Sequence, residues 1–190
     1  MLNAFALPDD VVLCGSQMRV GTLNVLVGEF RNAFAGIDYE VETQTRIVNA
    51  QAFGIGGKRM VRLYGGLALH PLVNEDALVF TLLHETGHHR ARGRRLAGDP
   101  RIACDCLADR WAVGAGANTL RRACGRDMNL VSALDSLNAL IASMGDQARL
   151  PATTARASGT PCWTGCWNNR KSSLTAGEAG PPAGPCYYQF

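Results

Sequence analysis

The sequence predicts an α+β fold, with a short sheet near the N-terminus, a mostly helical second half and an irregular C-terminal tail. Three observations carry this. Two early stretches, Ile37, Tyr39, Val41, Thr43 and the run from Arg59 to Tyr64, are β-rich, the first alternating apolar with polar residues. Apolar residues recur at helical spacing in a segment before these stretches and in segments after them. With 47% hydrophobic and 18% charged residues over 190 positions, the chain has the material for one buried core and little for a second.

Taken in order, Leu23, Leu26, Val27, Phe30 and Phe34 share one helical face, with Thr22 placed as N-cap and Gly36 as stop. The two β-rich stretches predict two or three strands, separated by a break at Gly54, Gly56 and Gly57. That break lacks the Lys-Ser/Thr of a phosphate loop and leads into a strand rather than a helix, so it predicts a turn. Asn74, followed by Glu75 and Asp76, predicts a helix that runs to about Ala91 and is stopped by Gly93. Asp99 before Pro100 predicts another start, ending near Gly114. A last helix, from about Met128 to Met144, places Leu130, Leu134, Leu137 and Ile141 on one face before Gly145. From about Pro151 the apolar periodicity stops and Pro, Gly, Ser and Thr become frequent. The chain thus divides into a compact domain over 1–150 and a tail over 151–190.

A net charge of +3, from 19 basic and 16 acidic residues, is too mild to argue for nucleic acid. The apolar runs stop well short of the ~18 residues of a membrane span. The first residues lack a positive region and a long apolar stretch, so no secretory signal is read and a cytoplasmic location is favoured. Seven cysteines leave the redox compartment open.

Function is to be sought where histidines cluster, at His84, His88 and His89. His84-Glu85-Thr86-Gly87-His88 is an HExxH motif inside a predicted helix. Histidines four apart lie one turn above each other, so both imidazoles reach one zinc ion, and Glu85 is angled toward a water on it. A catalytic zinc site needs a third protein ligand. Asp105 and Asp109, four apart on the next helix, offer one: Asp105 as ligand, with Asp109 accepting a hydrogen bond from a zinc-bound histidine, or Asp109 itself as ligand. His89 points about 100° away from His88 and reads as a surface or supporting residue. Cys104 and Cys106, flanking Asp105, read as packing or disulfide residues. Arg90, Arg92, Arg94, Arg95 and Arg101 read as a solvated helix end.

The motif, the acidic residue at 105 and the run Ala108-Asp109-Arg110 with Ala112 resemble the gluzincin metallopeptidases, especially soluble minimal relatives of the HtpX-like and CAAX-prenyl-protease-type branch. The resemblance covers roughly residues 60–114. It implies a small zincin-like domain in which an edge strand around Arg62-Leu63-Tyr64 packs on the HExxH helix, with Leu63 and Tyr64 holding an extended peptide by strand addition. It departs from the family in that Asp105 replaces the usual glutamate ligand, and Arg90 stands where an apolar residue is usual, so that the helix is expected to emerge early into solvent. The implied activity is hydrolysis of a peptide or protein substrate by a soluble endopeptidase or narrow-specificity processing peptidase, with Zn2+ as cofactor and Glu85 as general base. His70, His89, Tyr64 and an arginine remain open as the oxyanion-stabilising group. Two other classes share the motif: a zinc-dependent regulatory protein acting on one partner, and a non-catalytic, metal-stabilised interaction protein. For Cys162, Cys166 and Cys186 the sequence admits disulfides, a second structural zinc, or a thiolate reaching the catalytic zinc, and Trp163 and Trp167 suggest a tail that folds over the cleft.

Overall fold

The structure, a computed structural model, describes residues 5–15, 17–93 and 101–144 and is α+β. A short strand β1 (Phe5–Ala6) precedes helix α1 (Gln17–Ala33). Thr22 lies inside this helix rather than capping it. Strand β2 (Asp38–Glu42) follows, then β3 (Ile47–Val48), β4 (Ala50–Ile55) and β5 (Lys58–Tyr64). Gly56 and Gly57, with φ of 55° and 80°, make the tight connection between β4 and β5, a conformation that side-chain-bearing residues rarely adopt. Gly54, expected in the break, belongs to β4.

The main sheet has the order β2-β5-β4, with β2 parallel and β4 antiparallel to β5. The strand expected at an edge is therefore the central one. Leu63 stands opposite Val41 on one side and Ala50 on the other, and Tyr64 stands opposite Glu42, so Leu63 and Tyr64 lie inside the ladder rather than on a free edge. Leu63 is also fully buried. Strand addition at Leu63 and Tyr64 is excluded by this pairing.

After the short helix α2 (Gly65–Ala68) comes α3 (Glu75–Arg90), capped by the Asn74 side chain accepting from the Ala77 N–H at 2.8 Å. Ala77, Leu78, Val79, Phe80, Leu82 and Leu83 are all buried, so α3 is covered on every side and forms the centre of the molecule. It packs against β4, β5 and the helices that follow.

Helix α4 (Asp105–Trp111) begins later than the Asp99-Pro100 signal suggests; residues 94–100 lie outside the described ones. It does not end at Gly114 either, but passes through a π-helical turn, Ala112–Gly116, into α5 (Ala117–Cys124). Gly116 makes room for an aromatic ring: a Cβ there would lie 2.6 Å from Cζ3 of Trp111, which also packs on Phe34, the residue after α1, with ring centroids 5.5 Å apart. Helix α6 (Leu130–Ser143), capped by Asn129, buries Leu134, Leu137 and Leu140. Among the described residues no helix is long and apolar enough to cross a membrane. The expected boundary near 150 and the residues Cys162, Trp163, Cys166, Trp167 and Cys186 lie outside the described residues.

Candidate metal centre

The last turns of α3 meet the first turns of α4, and there His84, His88 and Asp105 bring one donor atom each within 4.8 Å of the others. The two Nε2 atoms are 3.1 Å apart, and Asp105 Oδ1 lies 3.4 Å from that of His84 and 3.3 Å from that of His88. A tetrahedral ion with bonds of about 2.0–2.1 Å spaces its donors about 3.3–3.4 Å apart, so this triangle has the dimensions of three corners of such a shell.

Hydrogen bonding decides what those atoms present. His88 Nδ1 lies 2.7 Å from the Ala103 carbonyl, which only accepts, so Nδ1 carries the proton and Nε2 of the neutral ring carries the lone pair. Ala103 N–H donates back to the His88 carbonyl at 2.8 Å, closing a reciprocal pair between the end of α3 and the segment before α4. His84 Nδ1 donates to Asp109 Oδ1 at 2.7 Å, which fixes its tautomer in the same way. Two nitrogen lone pairs and a carboxylate oxygen thus converge without a proton to share, an arrangement that calls for a cation. Without a metal a proton takes that place. Burial by itself lowers the His84 pKa, but Asp109, Asp105 and Glu85 outweigh it and raise it to about 10. Burial likewise works to raise the Asp105 carboxyl, yet favourable charge interactions, with a hydrogen bond from the protonated His84 ring, outweigh it and hold it well below its ordinary range.

Glu85 is the remaining group. Its Oε1 lies 4.0 Å from Nε2 of His84 and its Oε2 3.9 Å from Nε2 of His88, and Oε2 is a buried oxygen without a hydrogen-bond partner. A buried, unpaired carboxylate oxygen facing a donor triangle is poised for a proton-bearing ligand between the two.

The other sequence candidates fall elsewhere. His89 is buried, not a surface residue: its Nε2 donates to the Met60 carbonyl of β5 at 2.8 Å, tying α3 to the sheet, and burial lowers its pKa. His70 is buried in the turn before α3, where Nδ1 accepts from the Leu72 N–H at 3.2 Å. Tyr64 hydrogen-bonds Gln51 of β4 at 3.2 Å. Arg90 is half-buried and donates to the Ala35 carbonyl, so the end of α3 is tied down rather than released into solvent. Cys104 is a buried free thiol and Cys106 is disulfide-bonded; neither enters the triad. Sequence reasoning missed the Ala103 carbonyl, which leaves no trace in residue type, and the buried pair Tyr39 and Thr86. Because Thr86 donates its one hydroxyl proton to the Leu82 carbonyl at 2.6 Å, the Tyr39 hydroxyl donates to Thr86 at 2.8 Å, linking β2 to the motif.

No family model, curated protein or solved structure matches the chain.

Proposed function

We propose that this chain is a zinc-dependent hydrolase that cleaves peptide bonds, with His84, His88 and Asp105 holding the ion and Glu85 as general base. The observation that carries the reading is the Glu85 carboxylate, buried and with Oε2 unpaired, set 3.9–4.0 Å from both ligand nitrogens. A bound zinc ion supplies Lewis-acid polarisation of a carbonyl and of water. Glu85 then accepts the proton of the attacking water at Oε2 and returns it to the departing amine, so that water is added across the C–N bond. Asp109 holds the His84 ring in the tautomer that leaves Nε2 free, and the Ala103 carbonyl does the same for His88.

The test pairs metal analysis with hydrolysis of an unbiased fluorogenic peptide library by the full chain and by Glu85→Gln. The expected result is one zinc per chain in both proteins, with hydrolysis lowered about 10²–10⁴-fold in the variant. Zinc without hydrolysis in the unaltered protein overturns the enzymatic reading. It would favour a second one, a closed metal centre that holds the fold or regulates a single partner. That reading draws support from burial: Glu85, His88 and Asp105 are only 3%, 1% and 4% exposed, as befits structural sites, which keep no open position.

A further inference from the structure

We infer that Arg101 and Arg59 form a carboxylate-binding pair beside the metal centre, so that the peptides taken are those with a carboxylate a few residues from the cleaved bond. This deepens the hydrolase reading by naming its substrate class. It rests on that reading for the reaction, though not for the binding.

The pair is built around Gly54. A Cβ there would stand 3.2 Å from Nη1 of Arg101, 3.3 Å from its Cζ and 3.6 Å from its Nη2, so the guanidinium lies over β4 where a side chain would otherwise stand. Glycine inside a strand weakens it and often marks the close approach of another group. No left-handed φ calls for it at this position. Gly54 is in register with Arg59 of β5, and residues directly opposed in a ladder put their side chains on one face. The same face buries Ala52 and Val61, the next pair along it. Arg59 and Arg101 are both exposed, so two planar forks of N–H donors meet at the hairpin end of this face. Neighbouring like charges repel, and a carboxylate accepting from both relieves that repulsion while matching the geometry of each fork. Arg62, on the opposite face, differs in that Glu40 and Glu42 already engage it at 3.1 and 3.7 Å.

Two elements tie this spot to the metal centre. Arg101 stands two residues before Ala103, whose carbonyl orients His88, and two residues of chain span at most about 7 Å. Gly54 follows Phe53, which is in register with Met60, and the Met60 carbonyl accepts from His89. A peptide laid over the donor triangle gains about 3.3 Å per extended residue, so two or three residues bring a side chain to the arginines.

The experiment takes a peptide cleaved by the full-length, zinc-loaded chain and walks glutamate through its positions, against glutamine at each, with the C-terminus amidated. The glutamine peptide with a free C-terminus is added as a separate arm. At one position kcat/KM should favour glutamate about tenfold, and elsewhere the ratio should stay near one. Arg101→Ala and Arg59→Ala should each reduce that preference threefold or more, and Arg101→Glu should turn it toward lysine. Gly54→Val suits a strand but displaces the guanidinium, so it should reduce the same ratio with circular dichroism and zinc content unchanged. A merely structural role for these arginines would not move a ratio between two peptides. Preference confined to the free C-terminus, and lost in the same variants, identifies the carboxylate as the terminal one. No preference for either carboxylate, or one that survives both alanine variants, overturns the inference. If the chain cleaves no peptide, the hydrolase reading fails by itself. Fluorescein-labelled library peptides with glutamate or glutamine then read the pair by anisotropy: tighter binding of glutamate peptides, lost in Arg101→Ala, upholds it, and equal binding overturns it.

Discussion

Asp109 shows what a residue can do one step removed from the donor triangle. Its carboxylate, 2.7 Å from His84 Nδ1, both fixes the ring and strengthens Nε2 as a donor. Asp109→Asn keeps the shape and removes the charge. It should lower zinc affinity about 10–100-fold by chelator competition, with the far-ultraviolet dichroism unchanged. Tyr39→Phe makes the contrasting case. It removes the donor to Thr86 but leaves Thr86 bonded to Leu82, so it should cost about 1 kcal/mol of stability, read from the urea midpoint, and leave zinc content intact. At this scale the candidates were legible, because helical periodicity puts two histidines on one face and two aspartates on another, although Asp105 rather than Asp109 meets His84 and His88 only in the structure. The Ala103 carbonyl that orients His88 was not, since every residue carries one.

Among the elements, legibility follows side-chain size. α3 and α6 announce themselves through large apolar residues, and α3 through the Asn74 cap that the structure retains; the cap at Asn129 comes from the structure alone. β4 does not, because the residues it buries are Ala50 and Ala52, too small to give a strand signal. The helical region from α4 to α5 was misread because glycine has two meanings. Gly114 looks like a stop, yet the helix continues through it and through Gly116, which is there to admit the Trp111 ring. Close backbone approach also explains Gly65 and Gly66, where α2 lies against the segment between β2 and β3: a Cβ at Gly66 would come within 2.3 Å of the Arg46 carbonyl oxygen, and one at Gly65 within 2.4 Å of that of Thr45. Gly66→Ala should therefore destabilise the fold by about 1–3 kcal/mol, seen as a lower denaturation midpoint with an unchanged slope. A neutral effect would mean that α2 can move away from the sheet freely.

For the molecule as a whole, the buried histidines make stability depend on pH in two opposed ways. His70 and His89 have pKa values lowered from 6.5 by burial, so below that value the unfolded chain binds protons that the folded chain refuses, and stability falls as pH drops toward their depressed values. Asp105, held well below its ordinary 3.8, adds to the same limb: its contribution is present above 3.8 and is lost as pH falls through the lowered value. His84 works in the other direction. Buried, but raised to about 10 by the carboxylates around it, it contributes stability that is complete below 6.5 and drains away as pH climbs through about 10. The metal-free chain should accordingly be most stable near neutrality and lose melting temperature on both sides. On the proposed reading zinc would take the place of the His84 proton, so a zinc-loaded protein should show a flatter alkaline limb and a steeper acid one, where protons compete for the ligands. Melting curves from pH 5 to 10, with and without chelator, read this directly. A metal-free chain that gains stability between pH 7 and 10 would show that the carboxylates do not hold a proton on His84, and with that the electrostatic argument for a cation among the three donors would fail.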